Sequence, residues 1–213
     1  SGVRLGGANS RVTTILNEDN MATNSDTALA TQQSIKAYVD NNGGASAIDN
    51  LSDAITTATS NIGLGSGALD SITASNGNYN VALGINAGTA ITTGDRNISI
   101  GYGAADGYDA ESDNIAIGYD ALGGAVDGGE KNLAIGNYAG DAVTTGDENV
   151  LLGHNAGSAQ TTGLKMVAIG ADALKVGTAQ NFMTAVGHSA GHSHTGTEGV
   201  LIGSDAGYSS GAS

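Results

Sequence analysis

The chain has 213 residues, with 35 Gly, no Cys, no Pro and only 4% aromatic residues. So few aromatic side chains argue against one wide globular core, and the lack of Cys excludes disulfides, thiol nucleophiles and zinc–thiolate sites. The formal net charge of −14, with seven Lys and Arg residues, argues against binding to nucleic acid or to an anionic membrane. No stretch approaches the roughly 18 continuous apolar residues of a membrane helix, so membrane insertion is not expected.

Residues 1–44 are predicted to form a small N-terminal adaptor of short strands plus a helix. Weak alternation of apolar and polar residues over 1–23 indicates one or two short strands. A helix is predicted over 31–40, because Thr31 suits the N-cap position and Gly43 follows the helical pattern.

Residues 45–62 show apolar side chains at alternating spacings of three and four, as in the seam of a coiled coil. Two heptads do not hold an isolated helix in water, so the seam must pack on copies of itself or on the rest of the chain. Isoleucine at core positions favours more than two strands. We therefore predict a short trimeric coiled-coil neck, whose seam is Ile48, Leu51, Ile55, Ala58 and Ile62.

Residues 61–213 contain nine copies of one phrase, clearest as Asn80-Val-Ala-Leu-Gly84. Successive copies are 16 to 19 residues apart, which is the period of a solenoid. The glycines that align the copies are Gly65, Gly84, Gly101, Gly118, Gly136, Gly153, Gly170, Gly187 and Gly203. The third residue after each of them is Ala, which indicates a site with room for one methyl group.

The residues three and one before each glycine are aliphatic almost throughout, while the residue between them is usually Ala, Gly or Ser. This alternation predicts a strand whose aliphatic pair, including Ile115 and Ile117, forms one buried apolar stripe along the stacked coils. A second strand per coil is predicted at runs such as 89–93 and 141–145, so that two strands and two turns make one coil. The Asn that opens six of the phrases is predicted to stack as a ladder that ends where Met166 replaces it.

Residues 19–40, Asp-Asn-Met-Ala-Thr-Asn-Ser-Asp-Thr-Ala-Leu-Ala-Thr-Gln-Gln-Ser-Ile-Lys-Ala-Tyr-Val-Asp, closely resemble a segment found in tail fibre proteins of tailed bacteriophages. The repeats, with their Thr-Thr-Gly-Asp spacers, are similar to repeats in such fibres and in the heads of trimeric autotransporter adhesins. The resemblance implies a homotrimer of left-handed parallel β-rolls, located in the virion tail fibre and outside the cell. It also implies other virion tail proteins and a bacterial surface glycan or protein receptor as partners.

Tyr102 and Tyr119 follow the repeat glycine directly in adjacent coils, and His154 holds the same position further along. Aromatic faces stacked along a rod suit the docking of sugar rings, so these three residues are the candidate receptor-binding site. The alternative is mutual packing of the rings along a ladder.

His192 and His194 form a His-x-His pattern, and alternate residues of a strand point to the same face. Three chains around an axis would then offer six imidazoles, a set suited to iron, nickel or zinc. The pattern resembles the His-x-His metal sites of T-even phage fibres. The alternative is a polar surface loop.

The carboxylates Asp95, Asp113 and Asp147 lie in turn spacers, where Asp is a common turn former, and no nucleophile elbow is present. We therefore assign no catalytic residue and expect no enzymatic activity. The sequence predicts a mainly β, trimeric β-roll or β-solenoid rod that acts as a structural and adhesive segment of a phage tail fibre. The alternatives are a triple β-helix of intertwined chains, a tailspike-type polysaccharide depolymerase, or the head of a trimeric bacterial surface adhesin.

Overall fold

The computed structural model describes residues 14–16, 28–30, 54–55, 60–72, 76–124, 128–177 and 179–208. The chain divides into two compact units, Ser1–Leu51 and Ser52–Ser213. In the first unit, β1 (Thr14–Leu16) and β2 (Ala28–Ala30) form a parallel pair. Strand β1 lies within the stretch predicted to contain short strands, and the predicted helix over 31–40 lies outside the described residues.

The second unit contains one sheet of ten short strands, ordered in the sheet as they are ordered in the chain. From β4 onwards all neighbouring strands are parallel and aligned repeat on repeat, which confirms the predicted parallel β-solenoid. It has about eight turns, whereas the nine copies of the repeat predict nine coils. The strands are β3 (Ala54–Ile55), β4 (Ile62–Leu64), β5 (Val81–Leu83), β6 (Ile98–Ile100), β7 (Ile115–Ile117), β8 (Leu133–Ile135), β9 (Val150–Leu152), β10 (Val167–Ile169), β11 (Met183–Val186) and β12 (Gly199–Ile202).

Two residues of the predicted coiled-coil seam lie in strands. Ile55 belongs to β3, which pairs antiparallel with β4, and Ile62 begins β4. The helical prediction is therefore wrong at these two positions, because a strand here covers backbone groups that the edge of β4 would otherwise leave open. Residues 45–53 and 56–59 of the predicted neck, which include Ile48, Leu51 and Ala58, lie outside the described residues.

The strands present the opposite face to the interior from the one predicted. The middle residue of strands β4–β10 is buried and usually small, as at Ala116, whereas Ile115 and Ile117 on either side of it are partly exposed on the outer face. The prediction of a buried aliphatic stripe within one chain is therefore wrong. The physical reason is space, because a coil of about 17 residues encloses too narrow an interior for two large side chains from every strand.

The second strand predicted in each coil is also absent from the described residues. The runs 89–93 and 141–145 are turns and bends, closed by bonds from the Ile91 N–H to the Gly88 carbonyl (3.1 Å) and from the Val143 N–H to the Gly140 carbonyl (2.9 Å). Ile91 and Val143 are fully buried, so these turns still contribute apolar side chains to the interior. Each described coil has one strand, and turns complete it.

The repeat glycine is required by both conformation and space. Gly84 has φ +138°, and a Cβ atom there would lie 2.4 Å from the carbonyl oxygen of Gly101 in the next coil. The same approach recurs from coil to coil, so a side chain at this position would separate the stacked coils. This explains why the glycine returns in every copy.

The predicted asparagine ladder is confirmed. Each side-chain oxygen accepts a hydrogen bond from the backbone N–H of the equivalent residue in the next coil, as from Asn97 to Asn80 (2.8 Å) and from Asn114 to Asn97 (2.9 Å). Each side-chain NH₂ donates to a backbone carbonyl, as from Asn97 to Glu111 (2.8 Å). The left-handed backbone conformation belongs to the residue before the Asn, for example Arg96 (φ 57°), and not to the Asn itself.

The ladder ends at Met166, whose N–H donates to Asn149 (2.9 Å). In the following coils a buried pair of glutamines takes over, with the Gln160 side-chain NH₂ donating to the Gln180 side-chain oxygen (2.8 Å). Both glutamines are almost fully buried, so the change from Asn to Met does not leave the interior without polar cross-links.

Candidate functional site

Three rows of side chains run along the outer surface of the second unit, and the middle one is apolar. We call it the outer strip. It consists of the two outward positions of strands β4–β12, where seventeen of the eighteen residues are aliphatic and none is fully buried. The only exception is Thr184. The other two rows lie on either side of this strip, one on the turn that follows each strand and one on the turn that precedes it.

Four aromatic rings lie on the turn that follows the strand, and we call them the Tyr/His row: Tyr102, Tyr119, Tyr138 and His154. The Tyr102 and Tyr119 rings are stacked with centroids 5.2 Å apart and planes 7° from parallel. Tyr119 meets Tyr138 edge to face at 5.3 Å, and Tyr138 meets His154 edge to face at 6.2 Å. The three predicted receptor-binding residues therefore belong to one continuous row.

Tyr138 was missed by the sequence reasoning, although it is the ring that joins Tyr119 to His154. It stands two residues after its glycine, Gly136, whereas the other rings stand one residue after theirs. The signal available in the sequence was an aromatic residue in the same turn, one position later than in the neighbouring coils. The rings use part of their faces on one another, yet the three tyrosines remain 38–48% exposed. The receptor-binding role stays a prediction.

Carboxylates accompany the Tyr/His row. Asp120 follows Tyr119 directly and is the main reason why the pKa of Tyr119 is raised. The pKa values of Asp106 and Asp141 are raised by partial burial, to which the charge of Asp120 adds. No Lys or Arg in the described part of the chain forms an ion pair with these three residues. This side of the molecule is therefore locally acidic and uncompensated.

The row on the turn before the strand alternates in charge. It consists of the residue that precedes the ladder position in successive coils, and we call it the charged row: Arg96, Asp113, Lys131, Glu148 and Lys165. The guanidinium of Arg96 donates twice to Asp113, at 2.6 and 2.8 Å, which lowers the pKa of that carboxyl. Lys165 lies 3.9 Å from Glu148 and also 5.9 Å from the ring centre of Phe182, the next residue of the row.

The charged row was also not predicted, although the alternation of its charges from coil to coil is visible in the sequence. Its residues differ in sign from coil to coil, and all of them adopt a left-handed backbone conformation, as Lys131 (φ 57°) and Glu148 (φ 58°) do. That conformation turns the chain sharply and leaves the side chains about half exposed. Arg96, Lys131 and Lys165 make up three of the seven basic residues in the chain, so the cations are concentrated on this border.

His192 and His194 do not lie on a strand. Residues 191–193 form a turn in which the His194 N–H donates to the Gly191 carbonyl (3.0 Å), so the argument from strand alternation is wrong. The His192 ring packs 5.1 Å from the Tyr208 ring, and its Nδ1 lies 2.9 Å from the Ser193 hydroxyl. In the residues that the structure describes, no three His, Cys, Asp or Glu side chains of one chain are grouped to hold a metal. A metal shared between chains stays a prediction.

The turn carboxylates have structural partners, in agreement with their interpretation as turn formers. Asp95 accepts a hydrogen bond from the Asn78 N–H of the preceding coil (2.6 Å), and Asp147 accepts one from the Glu130 N–H (2.8 Å). These bonds join successive coils at the spacer, as the asparagine ladder does in the interior.

No protein-family model, curated protein or solved structure matches this chain. Over the described residues, no helix has the length and apolar character needed to span a membrane.

Proposed function

We propose that this chain is a trimeric structural and adhesive segment of a phage tail fibre, located in the virion, which contributes to attachment to the host-cell surface. The resemblance of residues 19–40 and of the repeats to phage fibres and trimeric adhesin heads supports this identity. The observation that carries the trimeric part is the outer strip, because a chain that folded and worked alone would have no use for it.

The outer strip is a large apolar surface for one chain. Parallel strands are about 4.8 Å apart, so nine of them extend the strip to about 40 Å. Monomeric soluble proteins rarely expose continuous apolar patches larger than a few hundred Å². The exposed fraction reaches 68% at Val200 and 70% at Ile202, at the far end of the strip. Burial of this surface against other chains is the favourable term that would drive assembly.

Three copies are proposed because the strip is narrow, with two outward residues in each coil. Each copy contributes one such strip. When three copies pack around a threefold axis, each strip faces the other two and none is exposed to solvent. The related fibres and adhesin heads named above are trimers. Other virion tail proteins would hold the rod in the tail, and a bacterial surface glycan or protein would be its receptor.

The adhesive role is tested by binding to bacterial cells. Fluorescently labelled protein is mixed with a panel of bacterial strains, and the cell-bound fraction is measured after washing. Retention on at least one strain is expected, and it should fall sharply for Ile117→Asp, which places a charge in the middle of the strip and so removes multivalent binding. No retention on any strain by the assembled protein would contradict the adhesive role. Release of reducing sugar from capsule would instead support the depolymerase alternative.

A further inference from the structure

The outer strip has two chemically different borders. Each residue of the charged row lies two positions before the start of a strand. Each residue of the Tyr/His row lies two or three positions after the end of a strand. One border therefore carries alternating full charges, and the other carries polarisable rings with nearby carboxylates. Both rows are about half exposed along the described coils.

Rotational symmetry about a threefold axis brings unlike borders together. In such a ring the interface is heterologous, so the left border of one copy meets the right border of the next. We propose that the charged row of each copy packs along the Tyr/His row of the neighbouring copy, coil against the same coil. This inference rests on the trimer proposed above, and it assigns Tyr102, Tyr119 and His154 to the contact between copies and not to a receptor.

The two rows are complementary in this register. In the coils of Gly101 and Gly136, Arg96 lies opposite Tyr102 and Lys131 opposite Tyr138, which are pairings of a cation with an aromatic ring. The coil between them places Asp113 opposite Tyr119 and adds no such pairing. The coil of Gly153 then places a carboxylate opposite an imidazole, and the coil of Gly170 places a lysine opposite a carboxylate. These two pairs are Glu148 with His154, and Lys165 with Asp172, which extends the Tyr/His row by one coil and also lies 2.9 Å from Lys175 of its own chain.

The apolar contact by itself does not fix the register. A slide by one coil, about 4.8 Å, keeps eight of nine strand contacts because nearly every coil offers the same aliphatic pair. The borders are not uniform, however. A slide in one direction places Glu148 opposite Asp172, and a slide in the other moves Lys165 from Asp172 to His154. The first slide brings two carboxylates together, and the second removes the pairing of Lys165 with Asp172, so both disfavour the wrong register.

The test uses the absence of Cys from the chain to obtain a clean cross-linking background. The variant Lys131→Cys/Tyr138→Cys places thiols on the two borders of one coil, and both positions already hold side chains in a left-handed conformation (φ 57° and 59°). A disulfide needs two Cα atoms at most about 7 Å apart. Because the extended strand β8 (Leu133–Ile135) lies between the two positions, their Cα atoms in one chain are too far apart to form this bond. Mild oxidation is expected to give a covalent trimer on a non-reducing gel.

The matched control is Lys131→Cys/His188→Cys, whose thiols lie on the same two borders but three coils apart, about 14 Å along the axis. It is expected to remain uncross-linked. If the parent protein is a trimer by light scattering and the same-coil pair links no better than this control, the proposed contact is wrong while the trimer stands. A monomeric parent would contradict both.

A second measurement separates a neighbouring copy from a receptor. Tyr102→Ala/Tyr119→Ala is expected to lower the thermal stability of the trimer, because it removes rings from the contact between copies. If this variant keeps the stability of the parent trimer but loses binding to the bacterial cells described above, the row faces a receptor and the inference is overturned.

Discussion

Leu151 and Leu152 are neighbours in strand β9, yet they belong to different environments. Leu151 is fully buried inside the coil, and Leu152 is half-exposed on the outer strip. Most other strands place Ala at the inward position and a large aliphatic residue at the outward one, as Ala116 and Ile117 do. Hydrophobicity alone therefore does not decide which face of the strand points into the coil, and the space available inside each coil must be considered.

The inward face is filled by local compensation of size. Leu151 has room because Gly140 and Gly157 face it, and a Cβ atom at either glycine would lie within 2.8 Å of its methyl groups. Where the inward strand residue is Ala116, the turn contributes the buried Leu122. One coil is thus packed with about one large side chain at this level, and the remaining aliphatic residues lie on the outer strip.

The largest effect is expected at Gly118, where the backbones of two coils touch. In Gly118→Ala the new methyl group would lie 2.5 Å from the Gly136 carbonyl oxygen, at φ +143°, so we expect a loss of more than about 4 kcal/mol in unfolding free energy. Gly203→Ala is the control, with a similar φ of +123° and no atom within 4 Å of the new methyl group. Its cost should be limited to backbone strain, about 1–3 kcal/mol. Equal losses in chemical denaturation would contradict this account.

The pair Leu151→Ala and Leu152→Ala tests the two faces directly. The inward change should leave a cavity and cost about 2–5 kcal/mol, measured by denaturation under conditions where the chain is monomeric. The outward change should cost little under those conditions but weaken assembly, which dilution in an analytical ultracentrifuge would reveal. The opposite pattern would mean that the two faces have been exchanged.

Asn114→Ala tests the polar part of the interior. It removes the acceptor for the Asn132 N–H (2.9 Å) and the donor to the Gly129 carbonyl (3.0 Å), both in buried surroundings. We expect a loss of about 1–3 kcal/mol. The exposed Asn137, whose side chain accepts a hydrogen bond from the Tyr119 N–H (3.0 Å), gives the control Asn137→Ala. An equal loss of unfolding free energy at Asn137 and at Asn114 would show that burial does not determine how much the ladder hydrogen bonds contribute to stability.

The smallest effect concerns pH. Because the folded-state pKa values of Asp106 and Asp141 are raised, the folded chain binds their protons more tightly than the unfolded chain does. Stability from these groups should therefore rise as the pH falls from 7 towards 4, on the order of a few degrees in melting temperature. Below about pH 3.8 the lowered pKa of Asp172 acts in the opposite direction, since its favourable contacts with Asn155 and Lys175 are lost on protonation. Asp106→Asn/Asp141→Asn should remove the rise, and a rise that persists in this variant would require another group.

Much of the fold could be predicted because a few residue types recur at fixed positions in the repeat. The recurrence of glycine, of Ala three residues later and of Asn four residues earlier predicts the strand positions, the close stacking and the ladder. The Ala row is buried as expected, from Ala68 to Ala190. These features depend on contacts between equivalent residues, which a periodic sequence makes visible.

The face of the strand could not be predicted from the same pattern. Alternation separates two faces but does not say which one lies inside, and the usual assumption that large aliphatic residues are buried fails in a narrow coil. The site was predicted in part for a related reason. Alignment on the glycine found Tyr102, Tyr119 and His154 but not Tyr138, and the charged row was overlooked because each of its residues looks like an ordinary exposed turn residue when taken alone.

The central claim is that the outer strip is covered by other copies of this chain. The most direct measurement is the native mass by light scattering, for the parent protein and for Ile117→Asp. We expect three times the chain mass of 20.8 kDa for the parent, and a folded single chain for the variant, because Ile117 is partly exposed in one chain and would be buried in the proposed trimer. A monomeric parent, or a variant that assembles as the parent does, would contradict it.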